Sequence, residues 1–350
     1  MTGVPTGAGV YLALMIVTFA LHALLIGCVL AGAGYVAVRL LRGGDDPVAA
    51  ATRDWLPFAL GAAITAGVAP LLFVQLLYQP RFYTANLLLF ARWMAIIPAL
   101  VIGFYALYLG KSARAAAWSR RARAAVAWLA AACFVFVAWS WIDDHALAMQ
   151  REPGAWATLY AQGGWRHQDP STLPRLVLWA GVAALVWPAG LLVVAPGRAG
   201  ADQRRVAWIA LAGLAVATVG GALAVRGLEP ARTMLALAPA RPWLYGLGAA
   251  AVALAVGWGA VVTGRRPWRL GVLVATAIFG LALAGAREAM RLAAIDPRLD
   301  ARVGHAQGVW LFVLAMVVGA VAIGWCVVIA RRAGPPRTLA EPVPPVERST

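Results

Sequence analysis

The sequence predicts an all-α fold: a polytopic membrane helix bundle of about nine transmembrane helices, with the N-terminus outside and the C-terminus in the cytoplasm. Three observations carry this prediction. Hydrophobic residues make up 62% of the 350 and charged residues only 13%, against about 25% charged in a soluble globule. Apolar runs of about 20 residues recur along the chain, each long enough to cross a bilayer while satisfying its own backbone hydrogen bonds. Arginines concentrate in alternate connections, as the positive-inside rule requires.

The spans read, in order, 10–38, 57–77, 84–110, 124–141, 176–194, 206–225, 242–262, 270–290 and 309–329. The first is too long for the apolar core of a signal peptide and has no basic segment before it, so it reads as a retained helix. It carries His22, about twelve residues or roughly 18 Å from its outer end at 1.5 Å per residue. The second and third are joined by the polar hinge Gln79-Pro80-Arg81 and carry Gln75, Tyr78, Tyr83, Arg92 and Met94 near one turn-back of the chain. The fourth ends in Trp139-Ser140-Trp141-Ile142-Asp143-Asp144-His145, where His145 and Met149 share a helical face with Trp141 if the helix continues.

The connection after the fourth span, 143–174, is the longest and holds Trp156, Tyr160, Trp165 and His167. Its length and aromatic content predict a functional outward surface. Gly and Ala are spread through nearly every span, which permits close helix packing in lipid. The eighth ends in Arg287-Glu288-x-x-Arg291, which reads as an i to i+3 salt-bridge cluster or as an anion dock facing the long loop. The loop after it holds His305, and the ninth span holds Met316. Residues 1–333 form the membrane domain and 334–350 a proline-rich, disordered cytoplasmic tail.

Basic residues such as Arg39, Arg42, Arg53, Lys111, Arg114, Arg120, Arg204, Arg205 and Arg265 sit on one side of the membrane in this scheme. The net charge of +16 therefore reads as membrane topology, and no nucleic-acid partner is implied. Lipid is the partner that composition does imply. Cys28, Cys133 and Cys326 all fall in apolar spans without pairing spacing, so neither a disulfide framework nor a zinc motif is present.

His22 is an ionisable residue deep in a span, which is a functional hypothesis by default. It reads as a neutral imidazole bonded to a backbone carbonyl, or as the axial ligand of a b-type haem. Met94 or Met316 could supply a second axial ligand, although methionine in a span is more often packing. Arg92 would cost about 3 kcal/mol near mid-membrane without compensation. It snorkels, or it pairs with a haem propionate or an anionic substrate. Gln75 and Tyr83 could line the approach of a quinone, and His145 beside Asp144 could accept a proton at the membrane surface. Trp141, His145, Arg287, Glu288, Arg291 and His305 are the expected docking residues for an outward partner.

A resemblance then enters on short motifs. FALGAAITAG at 58–67, followed by Phe73-Val74-Gln75, together with Leu21-His22-x-Leu24, resembles the first two helices of cytochrome bd-type quinol oxidase subunit I, and the likeness spans about the first 110 residues. It implies a haem ligated by His22. The chain departs from that family in having no acid between Asp54 and Asp143, no Gly-Arg-Gln-Pro-Trp quinol loop and no matching later His and Met pair. The expectation is thus a bacterial inner-membrane redox subunit that binds haem b or quinone and exchanges electrons with a c-type cytochrome or another respiratory subunit. The alternatives are a cofactor-free transporter, with Arg92 binding the substrate, or a structural or assembly subunit. No HExxH or GxSxG pattern points to a hydrolase.

Overall fold

Helices account for all the regular structure in a computed structural model that describes residues 6–43, 46–149, 154–162, 169–194, 202–226, 239–265, 268–294, 313–319, 321 and 325. We number them α1 (Thr6–Arg42), α2 (Pro47–Leu77), α3 (Gln79–Leu88), α4 (Phe90–Met94), α5 (Ile96–Lys111), α6 (Ala113–Ala116), α7 (Arg120–Ala148), α8 (Gly154–Gln162), α9 (Thr172–Val194), α10 (Gln203–Arg226), α11 (Arg241–Val262) and α12 (Arg269–Ala294). Among the described residues, eight helical segments are long and apolar enough to cross a membrane. The chain is a multi-pass membrane protein.

The ninth expected span lies largely outside the described residues, with only 313–319, 321 and 325 described as helical. Two compact units divide at Gly304 and His305. The tail at 334–350, His167 and His305 also lie outside the described residues.

The spans alternate in direction, which gives the bundle two chemically different ends. One is basic: it gathers Arg39, Arg42, Arg53, Lys111, Arg120, Arg205 and Arg269 at the helix termini. There Asp46 caps α2, its Oδ1 accepting from the backbone N–H of Val48 at 2.9 Å and Ala49 at 3.0 Å. Oδ2 of the same carboxylate accepts from Tyr35, Arg39 and Arg205 at 2.9, 2.5 and 2.9 Å. Burial opposes ionisation of Asp46, but these donors outweigh it and hold its carboxyl below the usual range. One side chain thus ties α1, α2 and α10 together.

Small residues set the central packing. Gly181 of α9 faces Ala217 of α10 so closely that a Cβ on it would lie 2.2 Å from the Ala217 nitrogen, and a Cβ on Gly220 would lie 2.3 Å from that of Leu178. These backbones touch because the glycine at each contact carries no side chain. Leu185, Leu254 and Trp258 fill the core beside them.

The third expected span, 84–110, is not one helix. It breaks at Leu89 and again at Ala95. Pro98 explains the second break: it has no N–H for the Met94 carbonyl, and its ring crowds that carbonyl. The break turns Arg92 inward on its own short helix, and the hinge Gln79-Pro80-Arg81 becomes the first turn of α3, where proline is tolerated.

Candidate functional site

At the end opposite the basic one, the termini of α1, α2, α7, α9 and α12 converge on groups that a bilayer would ordinarily exclude. Arg92 is fully buried, and its guanidinium pairs with the fully buried carboxylate of Asp143 and stacks over Trp139 at 4.3 Å. Oδ1 of Asp143 accepts from the Asp169 N–H at 2.7 Å and the Thr172 hydroxyl at 2.8 Å. The pair pins α4, α7 and the start of α9 together. The compensation that Arg92 needs therefore comes from within the protein, across 51 residues of sequence.

A second knot lies beside it. The Tyr78 hydroxyl donates to Glu288, and Arg291 bridges to the other oxygen of Glu288 at 3.3 Å. Burial, and then the charge of Glu288, push the Tyr78 hydroxyl well above its ordinary pKa. Arg291 also lies over the Tyr78 ring at 4.8 Å and donates to His145 Nδ1 at 3.0 Å. Because a guanidinium can only donate, Nδ1 is the acceptor and the His145 proton sits on Nε2. The expected i to i+3 cluster exists, and Glu288 and Arg291 turn towards Met15 of α1, Tyr78 at the end of α2 and His145 of α7.

These knots border a cavity of about 820 Å³ among the helices, inside the roughly 300–1,000 Å³ range of cofactor and ligand sites. Its walls are mostly apolar. His22 lines it, as do Trp141, His145, Arg175, Trp179 and Arg287. The His22 Nδ1 lies 2.8 Å from the Ala63 carbonyl. A carbonyl only accepts, so Nδ1 carries the hydrogen and Nε2 keeps its lone pair. Gly67 makes room for the ring, since a Cβ there would lie 2.8 Å from Nδ1. The last glycine of the FALGAAITAG run is thus what admits the imidazole. Counting from Thr6, His22 lies about 24 Å along α1 at 1.5 Å per residue.

The cavity opens sideways between α2 and α4–α5, where Ile64, Val68, Met94 and Ile97 are both lining and exposed. Met94 is 49% exposed, on this lateral rim. Gln75 and Tyr83 meet each other at 3.5 Å on an exposed face and are not among the lining residues. Arg92 does not line the cavity either. Trp141 and His145, expected as outward docking residues, lie on its wall, while Met316 belongs to the second unit. Trp156, from the long loop, packs with Leu159 against Leu88, Leu89 and Leu147.

Arg175 was not singled out by the sequence, where it follows Pro174 at the end of a long loop. Its position one turn into an apolar span is the signal that marks it. Arg287 is the member of the Arg-Glu-x-x-Arg group that faces the cavity, with its guanidinium 4.3 Å over the Phe19 ring. Among the described residues, no group of three or more His, Cys, Asp or Glu could hold a metal ion. Ligation of a haem iron needs only one histidine, and His22 offers a lone pair beside a sufficient volume. No protein-family model matches the chain, and no curated protein matches it by sequence.

Proposed function

We propose that this chain is a membrane redox subunit that holds a b-type haem in the far-end cavity, with His22 Nε2 as an axial ligand. One observation carries the reading. Among the described residues, the apolar part of the cavity is lined by an imidazole, that of His22, whose Nδ1–H is fixed to the Ala63 carbonyl, the orientation that presents Nε2 to a metal and raises its basicity. A haem bound there supplies one-electron transfer. The chain's own part would be to orient the imidazole and to exclude water from one face with Phe19, Trp179 and Trp141.

The positive-inside rule puts the basic end in the cytoplasm and the cavity near the outer surface. That placement fits electron exchange with an outward partner such as a c-type cytochrome at a bacterial inner membrane. The lateral opening between α2 and α4–α5 supports a second reading, in which a membrane-soluble molecule such as a quinone, or a transported amphiphile, reaches the cavity from the lipid.

A reduced-minus-oxidised visible spectrum with a pyridine haemochrome assay on the purified protein separates them. The haem reading expects about one b-type haem per chain in the wild type and its loss in His22→Ala. A colourless wild-type protein from haem-replete cells contradicts it and leaves the second reading standing.

A further inference from the structure

The two arginines on the cavity wall differ from the other two at this end. Arg92 is committed to Asp143, and Arg291 to Glu288 and His145. Arg175 and Arg287 have no carboxylate within 4.0 Å among the described residues, and Arg175 Nη1 is buried without a hydrogen-bond partner. Among the nearby acids, Asp144 has an Oδ1 without a hydrogen-bond partner but lies outside the residues lining the cavity, and the others are engaged. Glu288 is held by Tyr78 and Arg291, Asp143 by Arg92, Thr172 and the Asp169 N–H, and Asp169 turns its Oδ1 to Ser171 at 2.8 and 2.6 Å.

His145 adds a third donor to the same wall. Its Nδ1 is occupied by Arg291, so its N–H is on Nε2, and Arg175, Arg287 and Arg291 all lie within electrostatic reach of it. Arg175 also stands in the first turn of α9, where the helix dipole adds positive potential. Donors that cannot accept, in a cavity whose remaining wall is apolar apart from Asp169 and Ser171, which bond to each other, match one ligand chemistry. It is an anionic head on an apolar body.

We propose that Arg175, Arg287 and His145 form a carboxylate-binding subsite at the polar end of the cavity, which selects amphiphiles carrying an acidic head over the same bodies with the acid esterified. The subsite needs no iron and stands or falls apart from the His22 reading. Two sources share the chemistry: the acid groups of a tetrapyrrole, and the head of a fatty acid arriving through the lateral opening.

The test uses the full chain, purified from haem-limited cells into nanodiscs of zwitterionic lipid. Metal-free protoporphyrin IX and its dimethyl ester are titrated against quenching of the tryptophans at the cavity, and a long-chain fatty acid and its methyl ester are titrated in competition. Neither pair can be ligated through His22. The expected result is at least about tenfold tighter binding of acid than of ester for one pair, the favoured pair naming the source. Arg175→Gln with Arg287→Gln should collapse that ratio towards one, and Arg175→Lys with Arg287→Lys should preserve most of it, which separates charge from folding. Equal binding of acid and ester in the wild type overturns the proposal. So does an acid preference that survives loss of both arginines.

Discussion

Both ends of the bundle tie down buried carboxylates, but the far end does so beside a large cavity. At the basic end, Asp46 has both oxygens filled by a helix N-terminus, a tyrosine and two arginines, and the nearest described cavity, beside Arg53 and Arg123, measures only about 30 Å³. At the far end, Asp143 and Glu288 are just as fully engaged, beside a cavity of about 820 Å³ whose wall includes Arg175, its Nη1 without a partner. Arg205 Nε at the basic end is likewise buried without a partner, but Arg175 stands on the wall of the large cavity. On the proposed reading, a ligand in that cavity would complete the donors on its wall.

The largest effect should come from splitting the far-end ion pair. Asp143→Ala strands a buried guanidinium and should cost about 3–5 kcal/mol, read as a lower unfolding midpoint in detergent. Arg92→Met combined with Asp143→Leu should cost less than Asp143→Ala alone, because no charge is left behind. If the double variant is the worse of the two, the pair is not isolated in the way its geometry indicates.

Next comes one substitution made twice on α2. Gly67→Val places atoms against His22 and should displace the ring, at a cost of about 1–3 kcal/mol for overpacking, with loss of any haem signal. Gly61→Val meets nothing within 4 Å of its Cβ and should keep both stability and signal. Equal behaviour of the two variants would erase the distinction between the halves of this helix.

At the basic end the effects should be structural only. Asp46→Asn weakens a cap and two charged hydrogen bonds, for a loss of about 1–2 kcal/mol, without changing ligand binding in the cavity. Because the native carboxyl titrates below its unfolded value of about 3.9, the stabilisation is complete above that pH and is lost as the pH falls through the native value. Stability curves of wild type and Asp46→Asn should therefore run parallel at neutral pH and converge only in acid. Smallest of all, the exposed Arg53–Asp54 pair at 2.9 Å should change stability by less than about 1 kcal/mol when Asp54 becomes Asn.

Much of this comparison can be read from the chain itself, because hydropathy and helix termini are local. Eight of the nine spans appear where the apolar runs stand, and Arg39, Arg42 and Lys111 lie in last turns at the basic end. His22 stands out as an imidazole in an apolar helix. The partnerships are different, since they join distant segments. Nothing near Arg92 in sequence announces Asp143, and the two acids after Trp141 look like ordinary helix-end residues. Tyr78 finds Glu288 across 210 residues. Arg175 looks like a loop arginine until α9 begins at Thr172. The break at Ala95 was in principle legible in Pro98, but the hydropathy of the run conceals it.

The central claim is that the far-end cavity is completed by a group bound to His22 Nε2. An anomalous difference map recorded at the iron edge from crystals of the purified protein tests it most directly. The account predicts a single strong peak in the cavity against His22 Nε2, absent from His22→Ala crystals. A map with no peak there, from protein made in haem-replete cells, would contradict it.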